Sequence, residues 1–301
     1  MRNKKIIIPA LALSSIFIPI AAISCTFEQK SAYQDQISEL KQKIAKQKSY
    51  IPNYENIQND INILESQIKS QNLNDKSIQE KIDEIRQTLE KYENNNLNAS
   101  DFKFEIIEGE FKINKAREIK SWNIRVRDGD TLEAFSENKK DLPDSKIVLR
   151  FAGVDTPETH SHKNGKFYDT TGIQYKYGKI AEHYTKRILE EAKKIYIVPQ
   201  RTKNSANKHL ENDKKYLDRY GRTVGIVYYQ DSDGKIYCLN EQLVYYGYAK
   251  MKYISLSKSS SFYTDNVEYF KSLENAQKHA IDNHLGIYAK SVDIAEIYPN
   301  K

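Results

Sequence analysis

Three short strings in the second half of the 301-residue chain bring carboxylate and guanidinium groups close together. The first is Asp128-Gly129-Asp130-Thr131. The second is Leu149-Arg150-Phe151-Ala152-Gly153-Val154-Asp155-Thr156-Pro157-Glu158-Thr159, and the third is Asp218-Arg219-Tyr220-Gly221-Arg222. Asp130 and Asp155 are hard oxygen ligands suited to Ca2+, which prefers carboxylate, carbonyl and water oxygens. Arg150 and Arg222 carry planar, permanently charged forks that match phosphate oxygens. A phosphodiester is anionic and resists attack, so a catalyst acting on one must neutralise charge and supply an activated water. Taken singly, each string also has a plain structural reading. Asp-Gly is a common turn, an Arg on a strand pairs with a nearby Asp, and Tyr-Gly-Arg is an ordinary loop.

The elements that must position these groups read as short strands with helices inserted late. Strand-like runs fall at 102–107, 122–126, 147–152, 195–198 and 224–229, and helical patterns at 174–194, 239–246 and 266–284. That order predicts a small α+β domain or a partly open barrel. Composition agrees, because all 11 glycines lie from Gly109 onward and 18 of the 22 tyrosines lie beyond residue 120. Glycine supplies the turns of a compact β-rich fold, so its absence from residues 1–108 predicts helix there. Net charge is localised too. Residues 121–290 hold 28 Lys and Arg against 22 Asp and Glu, whereas residues 26–120 hold 15 against 17. Within 193–222 there are 9 basic and 3 acidic residues, which fits either a footprint for a polyanion or a solvated lysine-rich loop.

The first 24 residues read as a secretory signal, with a basic start and an apolar run over 6–23. Ala22-Ile23-Ser24-Cys25 has the form of a lipobox, in which Cys25 takes a diacylglycerol and the signal is cut just before it; an uncleaved membrane anchor is the alternative. Both readings place residues 26–301 outside the cytoplasm; in the lipobox reading the lipid on Cys25 holds the chain at the outer face of the membrane. Once Cys25 is acylated, Cys238 has no thiol partner and reads as a small buried hydrophobe.

Residues 25–100 read as a lipid-anchored helical stalk and linker. Tyr33, Ile37, Leu40 and Ile44 are spaced by three and four. So are Ile57, Ile61, Leu64 and Ile68, and then Ile78, Ile82, Ile85, Leu89 and Tyr92. Three coiled-coil-like helices are expected, folding back on one another or self-associating. Residues 101–290 form the second domain, and 291–301 are expected to be a C-terminal tail.

Together and in this order, the three strings closely resemble the staphylococcal nuclease family. The second string is the most specific, with Arg150 five residues before Asp155-Thr156-Pro157-Glu158. The resemblance covers about 122–288 and leaves out the stalk. It implies a five-stranded OB-type barrel with three helices, and Ca2+-dependent cleavage of DNA or RNA to 3′-phosphate ends. The metal ligands would be Asp130, Asp155 and the Thr156 carbonyl. Arg150 and Arg222 would contact the scissile phosphate, while Glu158 would orient or deprotonate the attacking water. Tyr220 and Tyr253 match tyrosines beside the nucleotide, Arg219 replaces a lysine, and Ser255 stands where a second tyrosine is usual. The turn between Thr131 and Arg150 and the loop over 200–217 are longer than in the best-known members. His160 and His162, with no nearby cysteines, read as exposed loop residues rather than a metal pair. The competing function is a non-catalytic nucleic-acid-binding or adhesive lipoprotein on the same barrel. Such a module has no need for Asp130, Arg150, Asp155, Glu158 and Arg222 as a complete set.

Overall fold

A computed structural model describes residues 27–47, 51, 54–70, 75–92, 99–135, 146–163, 165–203, 212 and 215–299. Cys25 and the signal-like segment lie outside the described residues, as do most of the two long loops. No helix among the described residues is long and apolar enough to cross a membrane.

Three helices come first: α1 (Phe27–Gln47), α2 (Tyr54–Ser70) and α3 (Asp75–Glu90). Their apolar stripes meet, with α1 against both α2 and α3. Every stripe residue from Tyr33 to Tyr92 is buried, and filling such a position with Leu or Ile contributes roughly 1.5–3 kcal/mol. At the rim of the bundle Lys41 pairs with Glu65 at 2.7 Å, and Arg86 reaches Gln36 at 3.0 Å. The stripes that suggested self-association are therefore covered within the chain. The bundle also touches the C-terminal part of the chain. The Tyr92 ring stacks 6.3 Å from Tyr248 and its hydroxyl accepts the Gly286 N–H at 3.4 Å, while Lys176 pairs with Glu55 at 3.0 Å.

The remainder is mixed α and β. Its strands are β1 (Arg117–Ile119), β2 (Ile124–Asp128), β3 (Thr131–Phe135), β4 (Lys146–Phe151), β5 (Val154–Asp155), β6 (His160–Lys163), β7 (Lys166–Asp169), β8 (Lys194–Pro199), β9 (Thr223–Gln230), β10 (Ile236–Cys238) and β11 (Lys250–Met251). Its helices are α4 (Gly172–Glu191), α5 (Leu239–Tyr245), α6 (Val267–Asp282) and the short α7 (Ile294–Ile297). One sheet runs β1-β8-β9-β4-β3-β2, with β10 also paired to β9; β5 pairs with β11, and β6 with β7. All pairings are antiparallel except β4 with β9. The sheet has seven strands, with β1 and β2 at the two ends of its path and β10 paired to β9 off that path.

Two sequence expectations change. Residues 102–107 do not form a strand, and only an isolated bridge between Ile106 and Ala116 is present. The alternating Phe102 and Phe104 instead pack their rings against the sheet, 5.1 Å from Tyr196 and 5.6 Å from Tyr228 respectively, while the backbone of Glu105 and Ile107 bonds only Ala116 among the described residues. The segment expected as a tail contributes α7, whose end buries Ile297 and Tyr298 beside α4. Cys238 is a free, buried thiol whose pKa burial pushes well up, as a small core hydrophobe requires.

Candidate active site

The β2–β3 hairpin carries the first string. Gly129 is needed there for close approach. A Cβ would lie 2.6 Å from Ala181 Cβ on α4 and 2.7 Å from Thr156 Cγ2. Thr185 of α4 fixes the turn by donating to the Gly129 carbonyl at 2.7 Å. This contact pins Asp130 beneath the second string, and Asp130 is 1% exposed.

The second string leaves β4 through Gly153, which adopts a positive φ of 72°, and returns as β5. That reversal places Asp155, 0% exposed, beside Asp130. The Arg150 guanidinium bridges them, pairing with Asp130 Oδ1 and donating to Asp155 Oδ1 at 3.2 Å and to the Val154 carbonyl at 3.1 Å. Asp130 Oδ2 accepts the Thr156 backbone N–H at 2.7 Å. On the other side, Asp155 Oδ2 faces the ammonium groups of Lys252 at 3.7 Å and Lys250 at 3.9 Å. Gly178 of α4 has no Cβ, and one would come within 2.9 Å of the Pro157 carbonyl, so the helix can lie directly on this loop. Glu158 comes next, at the groove, its backbone carbonyl held by the Thr170 hydroxyl at 2.7 Å.

The third string is a turn organised by Asp218. Its Oδ1 accepts the backbone N–H groups of Tyr220 at 2.8 Å and Arg222 at 2.9 Å, and its Oδ2 accepts Arg222 Nε at 2.7 Å. Gly221, with φ of 75°, completes the turn. Tyr220 projects outward, 67% exposed, with the guanidinium carbons of Arg219 and Arg222 4.7 and 5.4 Å from its ring centre.

A groove of about 730 Å³ gathers these parts, lined by Arg150, Asp155, Glu158, Arg219, Tyr220 and Arg222, with Tyr253 along its wall. Asp130 and Thr156 lie at its floor through the contacts above. Eight of the nine residues singled out beyond residue 100 come from three separated strings, and these meet in one place with the ninth, Tyr253. Ser255 sits in a loop whose backbone bonds Phe262 and Thr264. Phe262, 49% exposed, brings its ring 5.1 Å from Tyr253, a neighbour the sequence did not suggest. His160 is exposed on the β6–β7 hairpin, 3.2 Å from Asp169.

Three residues gain roles that the sequence reading did not assign. Asp218 orders the Arg222 turn. Asp128 lies in the groove, where its Oδ1 accepts the Asp130 N–H at 3.2 Å; burial pushes its carboxyl up, against the pull of the Arg150 and Arg222 charges. Tyr298 donates its hydroxyl to the Asp155 backbone carbonyl at 2.8 Å, and the Lys250 ammonium lies 3.5 Å from its ring centre. Burial pushes the Tyr298 phenol well up, so it keeps its proton. Asp128 and Asp218 lay inside quoted strings; Tyr298, 143 residues from its partner, had no local signal.

No three His, Cys, Asp or Glu side chains gather into a self-sufficient cation site among the described residues. The donor set is nevertheless hard: two buried carboxylates with one guanidinium placed between them, next to a peptide carbonyl. Those groups fit a divalent cation that keeps several waters.

A family model described as staphylococcal nuclease homologue matches residues 148–290. The chain is 36% identical over 157 residues to the thermonuclease of Staphylococcus hyicus, covering 52% of this chain and 68% of that protein. It is 32% identical over 166 residues to the thermonuclease of Staphylococcus intermedius, covering 55% and 74%. It is also 27% identical over 173 residues to an uncharacterised protein of Methanocaldococcus jannaschii, covering 55% and 69%. The matched range begins after Asp130 and ends before Tyr298, so the fold adds to the site from both sides of it. With these identities over two thirds or more of both thermonucleases, the chain belongs to the staphylococcal nuclease family.

Proposed function

We propose that this protein is a Ca2+-dependent nuclease that hydrolyses phosphodiester bonds of DNA or RNA, leaving 3′-phosphate ends. The observation that carries the reading is the convergence of Arg150, Arg222 and Glu158 on one groove, above the buried Asp130 and Asp155. A docked phosphodiester would lie between two guanidinium groups. Arg222 is oriented by its Nε bond to Asp218, which leaves its terminal nitrogens for phosphoryl oxygens. Arg150 is already directed at the groove floor by the two aspartates. Glu158 accepts the proton of the attacking water as its oxygen bonds to phosphorus. The bond to the 5′ oxygen then breaks, and the leaving oxygen takes a proton from solvent. Asp130, Asp155 and the Thr156 carbonyl would hold the Ca2+, which when bound supplies positive charge against the phosphoryl oxygens. Tyr220, Tyr253 and Arg219 line the same groove and offer stacking faces and charge to the flanking nucleotides.

The sheet path supports reading the core as the family's five-stranded OB-type barrel, with β1 and β2 as two halves of one strand. β1 and β2 are the two ends of that path, yet only residues 120–123 separate them in the chain. We further read the chain as held at the outer face of the membrane by lipid on Cys25. The motif ending at Cys25 supports this, and Cys25→Ser should release active protein from the membrane fraction. The enzymatic reading is tested by digesting plasmid DNA and RNA with the purified protein in Ca2+, then with a chelator. Binding of uncut DNA without any cleavage in Ca2+ would overturn it in favour of a binding module.

A further inference from the structure

We infer that the C-terminal segment completes the cation site, with Tyr298 as a positioning residue that fixes the Asp155–Thr156 peptide between the two proposed carboxylate ligands. This rests on the cation site of the proposed function and adds a component from outside the family match at 148–290. The peptide is bonded at both ends. Its carbonyl, on Asp155, accepts the Tyr298 hydroxyl at 2.8 Å, and its N–H, on Thr156, donates to Asp130 Oδ2 at 2.7 Å. One chain of hydrogen bonds therefore runs from Tyr298 through a peptide plane to a carboxylate, and each bond polarises the next. That plane sets the direction of the Asp155 side chain on one side and of the Thr156 carbonyl on the other. Outer-shell bonds of this kind orient ligands, and losing one typically lowers metal affinity about 10–100-fold.

Tyr298 is itself held firmly. It is 6% exposed and caps α7, where Asp293 accepts the Ala295 N–H at 2.8 Å and Ile297 is fully buried with Tyr177 of α4 and Ile287. The Lys250 ammonium covers its ring at 3.5 Å, and Lys250 pairs in register with Asp155 across β5 and β11. The hydroxyl thus reaches the site from a packed helix end. By linkage, a cation that needs this arrangement must in turn tighten the docking of α7.

The test uses the full protein and Ca2+ alone. Tyr298→Phe removes one hydroxyl and should lower the Ca2+-free melting temperature modestly through the lost buried bond, while the Ca2+ dissociation constant by calorimetry rises about tenfold. The Ca2+ concentration giving half-maximal cleavage should rise equally, with kcat at saturating Ca2+ little changed. Ile297→Ala keeps the hydroxyl but loosens α7, and should give a smaller loss of Ca2+ affinity. In wild type, Ca2+ should slow amide exchange at Tyr298, whose N–H donates to the Ile294 carbonyl at 3.1 Å. Unchanged Ca2+ affinity in Tyr298→Phe overturns this inference and leaves the nuclease reading standing. A wild type that binds no Ca2+ at all removes the cation site and this inference together.

Discussion

Thr156 donates its backbone N–H to Oδ2 of Asp130 at 2.7 Å, joining residues 26 apart in the chain. The bond crosses from the end of β5 to the β2–β3 hairpin, so neither string is a site without the other. It also has little room to stretch. Thr156 Cγ2 would stand 2.7 Å from any Cβ placed on Gly129, and Ala181 Cβ 2.6 Å.

Gly129→Ala should therefore wedge the hairpin away from both the second string and α4. Overpacking of this kind costs about 1–3 kcal/mol. The expected result is a lower melting temperature with a larger loss of nuclease activity, because the displaced residue beside it is Asp130. A variant with wild-type melting and wild-type cleavage would show that the hairpin can shift freely.

Ca2+ should stabilise the protein against heat, since two buried carboxylates share the Arg150 guanidinium at this floor. Binding to the folded state alone adds about 2.7 kcal/mol at a free concentration one hundred times the dissociation constant. Asp155→Asn should abolish that Ca2+-induced shift in a melting experiment. Persistence of the full shift in the variant would place the cation elsewhere.

Away from the groove, Glu133 of β3 is 1% exposed beneath Arg127 and Lys146, the latter at 2.7 Å. Burial works to raise its carboxyl, yet the bonded Lys146 and the Arg127 charge hold it below its ordinary value. A depressed acid stabilises fully above its unfolded pKa, about 4.3 for glutamate, and that contribution is lost as pH falls through the lower folded value. Glu133→Gln should accordingly be less stable than wild type at pH 7, with the gap closing in denaturant melts below about pH 4. A gap that stays constant through the acid range would exclude this cluster as a source of acid lability.

Much of this arrangement was legible in the chain because its signals are local. Heptad spacing at Ile57, Ile61, Leu64 and Ile68 needs only helical geometry to predict a buried stripe, and α2 buries all four. The runs around Ile147 and Ile195 became β4 and β8 because their branched residues suit a pleated, covered surface. Phe102 and Phe104 alternate as well as any strand, but alternation reports which face is apolar and not whether an edge is open to pair with. The short strand β1, which pairs with β8, and the Tyr298 contact escaped for a related reason. Both depend on segments far apart in sequence, and composition near Tyr298 differs little from that of an exposed end.

Arg222 separates catalysis from binding most sharply. Its Nε is committed to Asp218 at 2.7 Å and its backbone N–H to the same carboxylate at 2.9 Å, so the side chain is aimed before any substrate arrives. A guanidinium can hold Asp218 through Nε and still present two terminal nitrogens to a phosphate. A lysine has one ammonium and must choose. If Arg222 stabilises charge that develops as the phosphodiester is attacked, Arg222→Ala should lower turnover about a hundredfold or more, on the order of 3 kcal/mol, with a much smaller effect on affinity for uncut DNA. Arg222→Lys should recover little of that rate. Were Arg222 merely one of the basic residues in 193–222, the lysine variant would be nearly silent, and the alanine variant would weaken binding with a shallower salt dependence. Cleavage rates and equilibrium binding to a nonhydrolysable DNA analogue, measured for both variants across salt concentrations, distinguish the two cases. A lysine variant that cuts at the wild-type rate would take Arg222 out of the catalytic machinery and leave Arg150 as the only guanidinium assigned to the phosphate.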